Sequence, residues 1–188
     1  MPGWYTQIPE GSVRQKYLGD SYDIVKRFWA ESLHLIAPLY AHPRFVPNKI
    51  YAEYTRLTTI PILPASPTAP FGILLDPDTG IPRPTGPTER VTVKHAPLSF
   101  IADIDKECGP AYLICFDQSR KRCNDLTWDR QREEKMTYLR DRGLSSFYYV
   151  SHASFLFASR GPDVIRAIRA KLSSLGVPPD RLQPDDGQ

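Results

Sequence analysis

Three aspartates stand where the chain leaves its most apolar short runs. Asp76 and Asp78 follow Phe71-Gly-Ile-Leu-Leu75 in the segment Asp76-Pro77-Asp78-Thr79-Gly80, and Asp117 follows Ala111-Tyr-Leu-Ile-Cys-Phe116. Apolar runs of this length bounded by Gly, Pro and Asp predict buried strands. The carboxyl ends of strands in an open α/β sheet are where ligands bind. Pro77 fixes its own φ and biases Asp76 toward an extended backbone, so that carboxylate is aimed. Gly80 lets the chain leave the turn at positive φ. Asp76, Asp78 and Asp117 are therefore the candidate catalytic residues. As oxygen donors they are also the candidate ligands of Mg²⁺, which would activate water for phosphodiester cleavage; without a metal, crowded acids would raise one another's pKa. The plainer account is a strand exit made of common turn formers.

A second group opens the first helical pattern. Gly19-Asp20-Ser21-Tyr22-Asp23-Ile24-Val25-Lys26-Arg27 places acids and bases at helical spacing. Structurally this is a capped helix start, with Asp20 or Ser21 as the cap. Functionally, a helix amino end with Lys26 and Arg27 one turn in would hold an anion. Arg120-Lys121-Arg122, just past Asp117, is either a solvated loop or a phosphate contact. Gln118 and Ser119 border the same place, and His42, His152, Trp4, Tyr5 and Tyr17 are lesser candidates for proton transfer or stacking.

The paired motifs carry a resemblance. Lys16-Tyr17-Leu18-Gly19-Asp20 with Asp23 and Lys26, followed by Leu74-Leu75-Asp76-Pro77-Asp78-Thr79-Gly80, resembles a bacterial and phage family that pairs these two segments. That pairing is similar to the ribosomal RNA adenine-N6 methyltransferases. The resemblance implies a Rossmann-like fold, S-adenosylmethionine as cofactor, and Gly19, Asp20, Asp23 and Lys26 around cofactor and substrate. Asp76 would accept a hydrogen bond from the target amino group. RNA or DNA would be the partner. The chain departs from the family pattern in three ways: Thr79 stands where the motif has an aromatic, Asp78 where it has a second proline, and no Gly-x-Gly occurs anywhere. Three readings stay open: a methyltransferase-like protein acting on or binding nucleic acid, a Mg-dependent nuclease or phosphodiesterase, and a non-catalytic subunit or binding module whose Pro-rich loops a protein partner would order.

The elements that must position these residues follow from periodicity. Ile24, Val25, Phe28, Trp29, Leu33 and Ile36 predict a helix over 21–37, and Leu39-Tyr-Ala-His-Pro43 a short strand. Residues 47–57 give no firm assignment. Nine prolines between 61 and 97 exclude regular helix there and predict surface loops, or lids, at 61–70 and 81–92 on either side of the strand at 72–75. A helix is expected to open at Pro97 or Ser99 and end before Gly109. A charged helix is expected at 127–142, solvated and laced with ion pairs. A terminal hairpin over 147–159 and a helix at 162–175 follow. The whole predicts one α/β domain over 1–176, a three-layer Rossmann-like sheet that is mainly parallel with a late antiparallel hairpin, and a tail at 177–188 without fixed structure.

Composition narrows the class. At 188 residues one core suffices without staples. A net charge of +3 does not announce a nucleic-acid binder, although residues 120–188 hold 13 Lys and Arg against 9 Asp and Glu. Three cysteines without ligand spacing argue for free thiols in a reducing compartment. No apolar run reaches membrane-spanning length. A cytoplasmic location is expected.

Overall fold

The computed structural model describes residues 18–84, 94–119 and 127–184. Arg120, Lys121, Arg122, Lys16, Tyr17, Trp4, Tyr5 and most of the 81–92 loop lie outside them. The chain is a mixed α/β protein with one open six-stranded sheet. Helix α1 (Ser21–Leu33) leads to β1 (Leu39–Ala41), a 3₁₀ turn (Asn48–Ile50) and α2 (Tyr51–Thr58). Then come β2 (Gly72–Leu75), α3 (Leu98–Cys108), β3 (Tyr112–Phe116), α4 (Trp128–Arg140), β4 (Ser145–Tyr149) and β5 (Phe155–Ser159). Helix α5 (Pro162–Ser174), a 3₁₀ turn (Pro179–Arg181) and β6 (Leu182–Pro184) complete it.

The sheet order is β1-β2-β3-β5-β4-β6. Strands β1, β2 and β3 are parallel, whereas β5 runs antiparallel to both β3 and β4, and β6 antiparallel to β4. The expected hairpin is present, but it is not terminal: β5 slots between β3 and β4, and the tail expected to lack structure supplies the edge strand. The 61–70 segment is also tied down at its start. Its Pro61 carbonyl and Leu63 amide bond Ala41, so it covers the outer edge of β1, which otherwise would present unpaired groups.

Successive strand residues divide between two core clusters, as the period of two requires. Leu74, Tyr112, Ile114, Phe147, Phe155 and Phe157 join Trp29 and Leu33 of α1, Tyr54 of α2 and Ile165, Ile168 and Leu172 of α5. Ile73, Leu75, Leu113, Cys115, Tyr148 and Leu156 join Ile101 and Ile104 of α3 with Met136 and Leu139 of α4. Trp29 anchors the first cluster, its ring edge-on to Tyr149, Phe155 and Phe157 at 5.0–5.7 Å. Gly72 is required where the Tyr112 ring crosses β2, because a Cβ there would lie 2.4 Å from the ring. The Tyr112 hydroxyl donates to the Ala37 carbonyl at 2.9 Å and fixes that crossing.

Helix α1 turns inward the apolar face expected of it, with Trp29 and Leu33 in the first cluster and Val25, Phe28 and, past its end, Ile36 packed against it, but Ile24 is left out and two charged residues are taken in. Asp23, Lys26, Trp29 and Leu33 are its buried positions, and Ile24 is 67% exposed. Helix α4 likewise buries Gln131, Arg132 and Lys135 beside Met136 and Leu139, so it is not the solvated helix expected. Among the described residues no helix is long and apolar enough to cross a membrane.

Candidate functional site

Residue parity decides where the rim acids go. Leu75 pairs with Cys115 across β2 and β3, so Asp76 and Asp117 leave neighbouring strands at one rim, as the sequence predicts. Asp76 has the parity of Leu74, in the first cluster, while Asp117 has the parity of Cys115, in the second. Their side chains therefore point to opposite faces of the sheet. Among the described residues no group of three or more His, Cys, Asp or Glu side chains is placed to hold a metal ion. The shared cluster that Asp76, Asp78 and Asp117 would need for Mg²⁺ does not form, because the pleat divides the first and the last of them. Asp78 sits half-buried on the turn between them.

Asp76 meets the first motif. Lys26 Nζ lies 2.7 Å from Asp76 Oδ2 and 2.9 Å from Asp23 Oδ1. The Tyr54 hydroxyl donates to the same Asp76 Oδ2 at 3.3 Å. The Gly19 amide donates to Asp23 Oδ2 at 2.7 Å, and Asp20 caps α1 by accepting from the Tyr22 and Asp23 amides. Gly19, Asp20, Asp23 and Lys26, which the resemblance would put around cofactor and substrate, thus form one connected cluster with Asp76. One ammonium stands between two carboxylates, in a site where Asp76 is 5% exposed. Burial pushes the Asp76 carboxyl above its usual value, and Lys26 pulls it only part of the way back. Burial also draws the Lys26 ammonium down, but Asp76 and Asp23 together outweigh it and hold the proton on more firmly than in free lysine. Tyr54 is raised well above an ordinary phenol, first by burial and then by the two acids. It stays a hydrogen-bond donor.

Asp117 is held in a matching way on the other face. Lys135 Nζ donates to its Oδ2 at 2.7 Å and the Tyr148 hydroxyl to the same oxygen at 2.8 Å. Its Oδ1 accepts from the Ile81 and Ser119 amides, each at 3.0 Å. Four donors converge on this carboxylate, which makes it a clamp between the turn, β3, α4 and β4. The clamp explains Gly80. The Asp76–Gly80 turn lies across the end of β3, with the Thr79 carbonyl accepting from the Gln118 amide at 3.0 Å. At Gly80, where φ is +123°, a Cβ would sit 2.5 Å from Asp117 Oδ1 and 2.7 Å from its Cα. The segment expected to move as a lid is anchored at its start: Ile81 is fully buried and Arg83 pairs with Glu134 at 2.9 Å.

The chain beyond β1 is packed into the core, Phe45 in the second cluster and Val46 in the first. His42 Nδ1 accepts from the Arg44 amide at 3.1 Å, and Phe45 and Val46 are fully buried. Burial first, then the Arg44 charge, pulls His42 down to about 3, so it is neutral near pH 7. The unfolded chain, at 6.5, takes up a proton that the folded chain refuses. This stabilisation is full above pH 6.5 and is lost as pH falls from there toward 3. In urea titrations stability should fall by about 1.4 kcal/mol per pH unit more steeply over that window in the wild type than in His42→Gln. Parallel slopes would contradict the neutral buried imidazole.

At the same rim the Gln118 amide group donates to the Tyr22 hydroxyl at 2.6 Å and to the His152 carbonyl at 2.8 Å. His152 itself is exposed. A narrow polar cleft opens beside the Asp117 clamp, lined by Ser119, Trp128, Gln131, Arg132, Lys135 and Ser154 among others. The sequence reading missed Tyr54, Lys135 and Tyr148, the groups that hold the two rim acids. A signal existed for Lys135, which shares the inward stripe of Met136 and Leu139. Tyr54 lay in a stretch without legible periodicity. Comparison of the chain with protein-family models, with curated proteins and with solved structures returns no match.

Proposed function

We propose that this chain is a methyltransferase-like α/β protein, three-layered and Rossmann-like, that binds nucleic acid at the carboxyl rim of its sheet without transferring a methyl group at Asp76. The observation that carries this is the 2.7 Å contact between Lys26 and Asp76, which joins the two segments on which the resemblance rests. The order β2-α3-β3-α4-β4-β5 and the division of helices between the two core clusters support the Rossmann-like part. The same contact weighs against catalysis. A carboxylate that must accept a hydrogen bond from a target amine is here buried, with Lys26 and Tyr54 already on Oδ2. Buried Phe45 and Val46 after β1, where a Gly-rich cofactor loop would lie, weigh the same way. The basic sequence Arg120-Lys121-Arg122, which follows Ser119 of the rim, supports nucleic acid as partner.

The test is binding of labelled RNA and DNA over a salt series, with S-adenosylmethionine titrated by calorimetry in parallel. Affinity that falls steeply with salt, with no methyl incorporation and with binding intact in Asp76→Asn, is the expected result. No binding of any nucleic acid at low salt would overturn the reading. Methyl incorporation abolished by Asp76→Asn would overturn the second half and restore Asp76 as a catalytic residue.

A further inference from the structure

Gln118 follows β3 at the carboxyl rim, and its neighbours fix which way its carboxamide is turned. One end lies 2.8 Å from the His152 carbonyl. A carbonyl can only accept, so that end is the NH₂ group. The same nitrogen lies 2.6 Å from the Tyr22 hydroxyl, so there the Tyr22 oxygen accepts and its own proton must point elsewhere. Among the described residues no acceptor receives that proton. Gln118 Oε1 likewise takes no hydrogen bond from a described residue, and it is open to solvent, unlike the sealed Ser146 Oγ.

Packing accounts for only part of this arrangement. The Tyr22 ring is seated edge-on against Phe116 at 5.4 Å and beside His152 at 5.7 Å, contacts that need no hydroxyl. The two bonds of Gln118 Nε2 tie the start of α1, the end of β3 and the turn between β4 and β5 together. Neither the Tyr22 proton nor Gln118 Oε1 contributes to that tie. What is left over is an O–H donor and a C=O acceptor, linked through one carboxamide. An anion would suit the donor and be repelled by the carbonyl oxygen; a neutral group with an acceptor beside a donor satisfies both. We infer that Tyr22 and Gln118 form a subsite that reads the Watson–Crick edge of an unpaired nucleobase, a subsite that rests on the nucleic-acid reading above. With thymine, N3–H donates to Gln118 Oε1 and O4 accepts from the Tyr22 hydroxyl. The other bases also carry an acceptor beside a donor on that edge, so recognition here is tolerant of sequence. It is confined to unpaired strands, because a duplex spends those same atoms on pairing.

The experiment uses the full chain with fluorescently labelled oligothymidylate, an oligomer of N3-methylthymidine and a duplex, all of one length, read by anisotropy at low salt. The N3-methyl group removes the donor from the base edge and leaves the phosphates in place. The wild type should bind oligothymidylate about 5- to 150-fold more tightly than the methylated strand, and more tightly than the duplex. Tyr22→Phe, which keeps the ring contacts, should bind oligothymidylate about 2- to 12-fold more weakly and narrow the gap between the two strands. Equal wild-type affinity for both strands overturns the subsite and leaves the nucleic-acid reading standing. Preference for the duplex, or a gap that Tyr22→Phe leaves unchanged, does the same. The wild-type comparison needs no variant, so it decides alone should Tyr22→Phe fail to fold. Failure of the wild type to bind any strand overturns both.

Discussion

Replacing Lys26 with methionine is expected to lower the unfolding free energy by about 3–5 kcal/mol, the range for removing one partner of a buried ion pair. The ammonium lies against both Asp23 and Asp76, at 2.9 and 2.7 Å, and methionine fills similar volume without its charge. Two carboxylates would then face each other in a buried site without the ammonium between them, the Tyr54 hydroxyl and the Gly19 amide being neutral donors that cannot replace its charge. Asp76→Asn should behave differently, because Lys26 keeps Asp23 and the cluster becomes neutral, so its loss should be markedly smaller. The double variant should recover part of what Lys26→Met loses, and that coupling is measured by a urea double-mutant cycle. A Lys26→Met midpoint equal to wild type, or an Asp76→Asn loss as large as that of Lys26→Met, would contradict the shared-ammonium account.

Gly80→Ala is the second large effect, at about 2–6 kcal/mol. Roughly 1–3 kcal/mol comes from forcing a residue with a Cβ to φ +123°, and roughly 1–3 kcal/mol from overpacking against Asp117. The new methyl would meet the Asp117 backbone as well as its carboxylate, at 2.7 and 2.5 Å, so side-chain rotation alone gives no relief. Relief requires lifting the turn, which breaks the Ile81 amide bond to Asp117 and the bond from Gln118 to Thr79. Gly109 supplies the control. It too has positive φ, but a Cβ there would meet nothing within 4 Å, and Gly109→Ala should lose only about 1 kcal/mol. Indistinguishable denaturation curves for the two variants would show that the turn yields freely.

The strand exits, the order of elements and the shared rim of Asp76 and Asp117 were legible because each rests on a local signal: a short apolar run, a turn residue, a helix cap. The face on which each acid points was not. It depends on parity within strands four and five residues long, which shows only once the register of β2 on β3 is known. Helix α1 and most of its inward face were legible, but an apolar count also rewards Ile24, which is exposed, and ignores Asp23 and Lys26, which lie on the inward stripe with Trp29 and Leu33. Charge in a core is invisible to hydrophobic periodicity. The same blindness made α4 look solvated, although Lys135 reaches Asp117 from its buried side. Gly80 could be read as a turn residue, but the close approach to Asp117 that makes it necessary joins positions far apart in sequence. The edge strand at 182–184 had too few residues and too much proline to announce itself.

The position of β5 governs the order in which the chain can be completed on the ribosome. It pairs Phe155–Ala158 with Leu113–Phe116 on one side and Phe155–Ser159 with Ser145–Tyr149 on the other. Until it has been synthesised, β3 presents an open edge of apolar residues and β4 has no neighbour through which to join the sheet. A nascent chain halted between Phe116 and Phe155 therefore carries a template for wrong pairing with other chains. Native closure waits for a strand that arrives after both of the strands it separates.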